Sequence, residues 1–340
     1  MTAAVRIHAI VPPYVLDRLA EAGHEPAARS LALDAAHRAA RLTAPPPVAA
    51  DPGLSRLIAD SGHAQRLPGH TVRTEGQTPV ADASVNHAYD GLGATFALYS
   101  EVFGRDSIDG HGLRLDASVH YGQNYDNAFW NGRQMVFGDG DGEIFGDFTA
   151  CIDVIGHELT HGVTQFTAGL QYQDQPGALN ESISDVFGSL VKQYALHQDA
   201  ASADWLIGAG LLAPGVQGVA LRSMKAPGTA YDDPQLGKDP QPAHMRDYVD
   251  TGEDNGGVHI NSGIPNHAFY LLATALGGRS WELAGRIWYD TLTGGGLPAT
   301  ADFTAFARAT VAAARARHPD RPSVADTVTA SWARVGVSPG

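Results

Sequence analysis

Residues 157–161 read His157-Glu158-Leu159-Thr160-His161, inside a run, 152–166, whose pattern predicts a helix. Residues four apart on a helix stand one above the other on the same face. Both imidazoles can therefore reach one metal ion, while Glu158, one residue round, points beside that ion rather than at it. Two nitrogen ligands with a carboxylate near a metal-bound water is the arrangement a zinc hydrolase uses. With 15 His and nine Glu in the chain, chance gives this pattern about 0.02 times per chain, so accident explains it poorly.

A catalytic zinc takes three protein ligands and keeps a fourth position open. The candidate third ligand is Glu181, in Asn180-Glu181-Ser182-Ile183-Ser184-Asp185. It is expected to open a second helix, residues 181–197, that leans across the first. Asp185, one turn further along, could accept the free ring N–H of a ligating histidine and fix its tautomer. Helix capping and dipole stabilisation would also place acids here, but the His-Glu-x-x-His run upstream favours ligation.

A chain of 340 residues is too long for one ordinary core, so two lobes and an accessory segment are expected. The 44% hydrophobic and 18% charged residues fit a globular protein. No apolar run approaches the roughly 18 residues a membrane span needs. A net charge of −14 repels nucleic acid and anionic lipid, so neither is an expected partner. Cys151 is the single cysteine, which rules out a disulfide within the chain, and it reads as small core packing. The N-terminus lacks the basic start and apolar stretch of a secretory signal. The expectation is a protein cytoplasmic at synthesis, or secreted by a non-classical route.

In chain order, residues 1–50 form a unit too small to bury its own core. Ile7, Ile10 and Val11 read as extended, and Val15, Leu16 and Leu19 recur at helical spacing. A second helix is expected over residues 25–42, then a Pro-rich linker, 44–52. Residues 51–151 read as a strand-rich lobe with strands late, after a helix over 81–103. The turn Gly138-Asp139-Gly140-Asp141-Gly142-Glu143 lacks the glutamate an EF-hand needs at position twelve, where Ala150 stands, and is a plain turn. Residues 152–340 read as the metal helix, a loop-rich stretch at 208–264, and further helices at 265–276, 281–292, 300–318 and 323–335. The fold class is α+β: a strand-rich N-terminal lobe and a helical C-terminal lobe joined by the central helix.

The stretch from His157 to Val191, with Asn127-Ala128-Phe129-Trp130-Asn131-Gly132, Leu221-Arg222-Ser223-Met224 and Asp254-Asn255-Gly256-Gly257-Val258-His259, resembles the thermolysin family of zinc endopeptidases. Thermolysin itself exemplifies the His₂Glu zinc site. The start, Pro12-Pro13-Tyr14-Val15-Leu16, resembles the protealysin-like subgroup, which carries a brief propeptide. The resemblance implies a two-lobed thermolysin-like fold and one catalytic zinc held by His157, His161 and Glu181. It makes Glu158 the general base and Tyr172 and His259 the donors to the oxyanion, with Asp254 orienting His259 and Asp185 behind the ligands. Arg222 would hydrogen-bond the substrate carbonyl beyond the cleaved bond, while Asn127 and the Ala128 carbonyl would hold the substrate as an added strand. Phe145, Val154 and Leu221 would line a pocket for a large apolar residue after that bond. The implied partners are peptide or protein substrates and the chain's own residues 1–50, a propeptide that keeps a precursor auto-inhibited.

The chain departs from the family where well-known members hold two calcium ions. Lys192 takes one acidic position, and Asp153 and Asp204 alone make a weak cage for a cation that wants six to eight oxygens. Calcium (Ca2+) is left open and calcium dependence is not expected. The competing reading is a catalytically inactive peptide-binding protein of the same fold, which would have no need of Glu158 as a base.

Overall fold

A computed structural model of the chain describes residues 8–41 and 53–340, leaving out the side chains of residues 8 and 38–41. The Pro-rich linker lies outside the described residues. Strands β1 (His8–Ala9), β2 (Arg56–Asp60), β3 (His70–Thr74), β4 (Leu115–Val119), β5 (Ala128–Trp130) and β6 (Met135–Phe137) form one sheet in the order β1-β5-β6-β4-β2-β3. The pairs β4–β6 and β4–β2 are parallel and the rest antiparallel. The expected strands all follow the 81–103 helix, and the structure adds two before it. β2 and β3 precede it, and their polar, half-exposed residues hide the alternation that marks a strand.

The N-terminal residues give β1 and two helices, α1 (Pro13–Glu21) and α2 (Glu25–Arg41). Pro13 begins α1, where a missing N–H costs nothing, and Val15, Leu16 and Leu19 are buried. Helix α3 (Ala83–Ala97) starts on an Asp82 cap whose carboxylate accepts the Val85 N–H, then continues as a π-helical turn, Leu98–Val102. Helix α4 (Ile152–Phe166) has the bounds its pattern predicts.

Helix α5 runs Asp174–Ala195, so Glu181 does not open it as expected but sits two turns inside. Pro176 falls in the first turn, where backbone N–H groups need no helical partner, and so does not stop the helix. The C-terminal lobe adds α6 (Asp254–Asn261), α7 (Gly263–Leu276), α8 (Ala284–Thr293), α9 (Phe303–Arg317) and α10 (Pro322–Arg334). Helix α6 lies within the loop-rich stretch 208–264, where no helix is expected. It is short and interrupted by left-handed Asn255, Gly256 and Gly257, which erase any helical period. The lobe's core is aromatic: Trp288 and Trp332 stack with centroids 5.8 Å apart beside Phe306.

The α4–α5 contact sets the site. A Cβ on Gly188 would stand 2.4 Å from the Asp153 carbonyl oxygen. Only glycine lets the helices approach this closely, and that approach brings α5 side chains to α4 histidines.

Candidate active site

Helix α4 carries His157, Glu158 and His161, and α5 carries Asn180, Glu181 and Asp185. All six are buried. His157 Nδ1 lies 2.8 Å from Asp185 Oδ1, and His161 Nδ1 lies 2.9 Å from Asn180 Oδ1. Carboxylate and amide oxygens only accept, so each ring carries its proton on Nδ1. That leaves two bare Nε2 atoms facing each other at 3.0 Å. Glu181 stands 3.5 Å from both, through Oε2 to His157 and Oε1 to His161. Three electron-pair donors packed into a buried space repel one another unless a cation lies among them. Glu181 Oε2 makes no well-formed hydrogen bond, lying 3.5 Å from both His157 Nε2 and His259 Nε2. The donor set of two imidazoles and a carboxylate fits zinc.

Asp185 is more than a partner to His157. It accepts Arg222 Nε and Nη2 at 2.8 Å each and Asn266 Nδ2 at 2.8 Å. Burial pushes its carboxyl up, but the Arg222 charge and the His157 bond outweigh burial and hold it at about 2. Asp185 therefore stays an acceptor, which keeps the His157 proton on Nδ1.

Glu158 points beside the donor set. The Trp130 backbone N–H donates to its Oε2 at 3.0 Å, and Oε1 has no partner. One oxygen is anchored by strand β5 and the other is free to take a proton. Burial pushes this carboxyl up to about 8 and the Glu181 charge adds, whereas a cation among the neighbouring donors would lower it.

Tyr172 and His259 stand on the other side. The Tyr172 hydroxyl donates to Glu181 Oε1 and lies 3.2 Å from His259 Nε2. Asp254 fixes His259 twice, accepting its backbone N–H at 2.8 Å and facing Nδ1 at 2.6 Å. Burial opposes a charged His259, but the Asp254 and Glu181 charges outweigh it and raise its pKa. The turn that allows this needs Gly256, where a Cβ would fall 2.0 Å from Asp174 Oδ1 at φ +84°. Phe145, Val154 and Leu221 are buried in the same apolar core.

The N-terminal residues lie across this site. His8 and Ala9 pair with Trp130 and Phe129 of β5. Ile10 donates its N–H to the Ala128 carbonyl at 3.1 Å, and its own carbonyl accepts Arg222 Nη1 at 3.1 Å. Val11 exchanges bonds with the Asn127 carboxamide at 2.9 and 3.2 Å. The structure thus gathers His157, Glu158, His161, Tyr172, Glu181, Asp185, Arg222, Asp254, His259, Asn127 and Ala128 around one cleft. Sequence reasoning missed the roles of Asn180, Asn266 and the Trp130 amide. Asn180 stands next to Glu181 in the motif and was within reach; a backbone N–H leaves no residue-type signal. At the acidic positions where calcium is left open, the Lys192 ammonium lies 3.1 Å from Asp153 Oδ2 and 2.7 Å from Asp204 Oδ2.

Residues 63–165 match the thermolysin metallopeptidase catalytic domain and residues 168–337 its alpha-helical domain. The chain is 54% identical over 339 residues to an extracellular metalloprotease of Pectobacterium carotovorum, covering 97% of this chain and 96% of that one. It is 42% identical to a thermolysin of Alicyclobacillus acidocaldarius, over 75% of this chain and 46% of that one. Among solved structures it is similar to the precursor of protealysin, a metalloproteinase from Serratia proteamaculans. There the TM-score is 0.89 at 56% identity, covering 97% of this chain and all of the other. Relatives named extracellular in Pectobacterium and in Serratia marcescens correct the expectation of cytoplasmic residence or a non-classical route and point to secretion. No helix among the described residues is long and apolar enough to cross a membrane.

Proposed function

Because the chain belongs to the thermolysin family of metallopeptidases, and is by that membership a zinc metalloendopeptidase, we propose that it is made as an auto-inhibited precursor and prefers large apolar residues after the cleaved bond. In this reading residues 1–50 are a propeptide, 51–151 the strand-rich lobe, and 152–340 the zinc helix with the helical lobe. His157, His161 and Glu181 hold the zinc, which when bound acidifies a water and polarises the substrate carbonyl. Glu158 takes a proton on its free Oε1 and later returns it to the leaving nitrogen, while the Trp130 amide keeps the carboxylate aimed. His259 Nε2 and the Tyr172 hydroxyl donate to the oxygen that gains charge. Arg222 and the Asn127–Ala128 edge hold the substrate chain extended, and Phe145, Val154 and Leu221 give its next side chain an apolar pocket.

One observation carries the reading: Ile10 and Val11 already occupy that edge as an added strand, bonded to Ala128, Asn127 and Arg222. An edge so filled is closed to other peptides, which supports inhibition by the segment itself. The test compares casein cleavage by the full chain with cleavage by protein freed of residues 1–50. Equal activity from both would sink the inhibitory role.

A further inference from the structure

A second cluster of metal-ligating residue types lies outside the zinc site, at the seam between the N-terminal helices and the strand-rich lobe. His24, in the turn between α1 and α2, meets Asp126, just before β5, and Asp141, in the turn after β6. Asp126 is fully buried, and its carboxylate oxygens lack a well-formed hydrogen bond, with the Asp141 backbone N–H the donor nearby. The Asp141 side chain is 1% exposed and that of His24 12%. Asp141 Oδ1 is saturated by the Glu143, Ile144 and Phe145 amides at 2.8–3.0 Å. Its Oδ2 is left facing His24 Nε2 at 2.7 Å. Two carboxylates from the strand-rich lobe and an imidazole from the N-terminal segment are thus sealed together with little to balance their charge.

A metal ion would solve this at the zinc site, but the tautomer here is the opposite one. There, each Nδ1 faces an acceptor and each Nε2 is bare. In this cluster the Ala27 backbone N–H donates to His24 Nδ1 at 3.3 Å, so the neutral ring carries its proton on Nε2. An Nε2 that holds a proton offers no lone pair to a cation. The excess negative charge must then be met by a proton on the carboxylates, since two acids this close and this buried cannot both ionise.

We propose that docking of the N-terminal segment traps one proton on the Asp126–Asp141 pair, so that the segment is held by a proton latch and undocks more readily as pH rises. The proposal rests on the segment being releasable. The groups facing the pair are few. Asp141 is the like charge, His24 lies 2.7 Å from Asp141 Oδ2, and Arg29 of α2 is an opposing charge half exposed and tied to Glu25. The Ser30 hydroxyl takes the Asp126 backbone N–H. Beyond them, Asp34 binds Tyr125 and Asn127, and His37 contacts Tyr121. Burial, then the Asp141 charge, push the Asp126 carboxyl up to about 8, with the Asp141 amide and Arg29 opposing. Undocking returns both carboxylates to water, where the proton leaves at neutral pH. The docked state therefore binds more protons than the open one, and docking weakens by up to about tenfold per pH unit below that value.

The test uses the full chain carrying Glu158→Gln, so that it does not cut itself. Trypsin cleavage after Arg29, which requires α2 to undock, is followed from roughly pH 6.5 to 8 and normalised to a peptide of residues 25–34. The rate should climb several-fold per pH unit and become flat with Asp126→Asn added. Asp141→Asn, which keeps its three amide bonds through Oδ1, is the second variant and should also flatten it. An equal slope in the unsubstituted and Asn proteins would overturn the latch while leaving a releasable segment. No cleavage at any pH would overturn both. Two divalent ions per chain, falling to one in His24→Ala, would replace the proton with a metal.

Discussion

Arg222 grips Asp185 through two hydrogen bonds, from Nε and Nη2, both 2.8 Å long, while Asp185 still accepts the His157 ring proton. One buried carboxylate thus joins the arginine bonded to the Ile10 carbonyl to a histidine of the proposed zinc site. Asp185→Ala should weaken zinc binding about 10–100-fold, the usual effect of losing a ligand's hydrogen-bond partner. It also strands a guanidinium that is 3% exposed, which should cost about 3–5 kcal/mol of stability. Zinc titration and thermal denaturation of the variant measure the two losses separately. Unchanged zinc affinity would show that His157 does not depend on Asp185.

Glu158→Gln makes the complementary case. Its amide oxygen can still accept the Trp130 N–H, so the fold and zinc content should stay as they are. Peptidase activity should fall about 10²–10⁴-fold, the range general-base assistance is worth. A zinc-loaded variant cutting casein at the original rate would falsify the role given to Glu158.

Lys192 sits between Asp153 and Asp204 and pairs with both through one ammonium. Asp153 is 2% exposed there and also accepts the Gly208 N–H. Lys192→Met should therefore leave a buried carboxylate unpaired and cost about 3–5 kcal/mol. Adding calcium, or a chelator selective for it, should leave the melting temperature of the unsubstituted protein where it was. A clear upward shift with calcium would show a cage that the acids at 153 and 204 do not explain.

His120 bridges two carboxylates, with Nδ1 2.8 Å from Asp139 and Nε2 2.9 Å from Asp82. The Asp139 hydrogen bond leads in raising its pKa to about 9, burial opposes, and Asp82 adds. A folded-state value above the unfolded one stabilises fully below the unfolded pKa, and the effect is lost as pH rises through 9. After solvent screening the contribution is about 1 kcal/mol. The drop in stability between pH 7 and about 10 should be smaller in His120→Gln than in the parent by that amount. Identical pH profiles would leave the bridge without energetic effect.

How far the sequence reaches depends on whether a feature is local. Helix α4 carries its own period, and its bounds match the expectation residue for residue. Glu181 and Asp185 are legible because their chemistry needs a fixed spacing along α5. The start of α5 is not, since Pro176 looks like a stop unless it is already known to lie in a first turn. Strands β2 and β3 are invisible for a different reason. Arg56 and Arg73 hold the Tyr89 ring between them, each 3.6 Å from its centroid, so polar residues do the packing that a pattern search assigns to apolar ones. The Trp130 amide on Glu158 and the His24–Asp141 contact join positions 28 and 117 residues apart, and no pattern within a segment encodes them.

The N-terminal segment supplies the last prediction. Its Ile10 and Val11 fill the β5 edge, and Asp34 on α2 accepts the same Asn127 amide that Val11 uses. The segment is thus fastened to one asparagine from two directions, and a competing peptide must displace both. In the inhibitory reading, activity should rise as a shorter form replaces the precursor, with its new N-terminus between residues 41 and 69. The Glu158→Gln protein should stay at full length if the enzyme makes the cut itself. Asp34→Ala removes one fastening to Asn127 while leaving the zinc donors in place, so it should speed the conversion, and mature enzyme, which has lost residue 34 in either case, should cleave casein equally well. N-terminal sequencing alongside a casein assay follows both quantities over time. Full activity in protein that still begins at Met1 or Thr2 would make the segment a permanent arm of the fold.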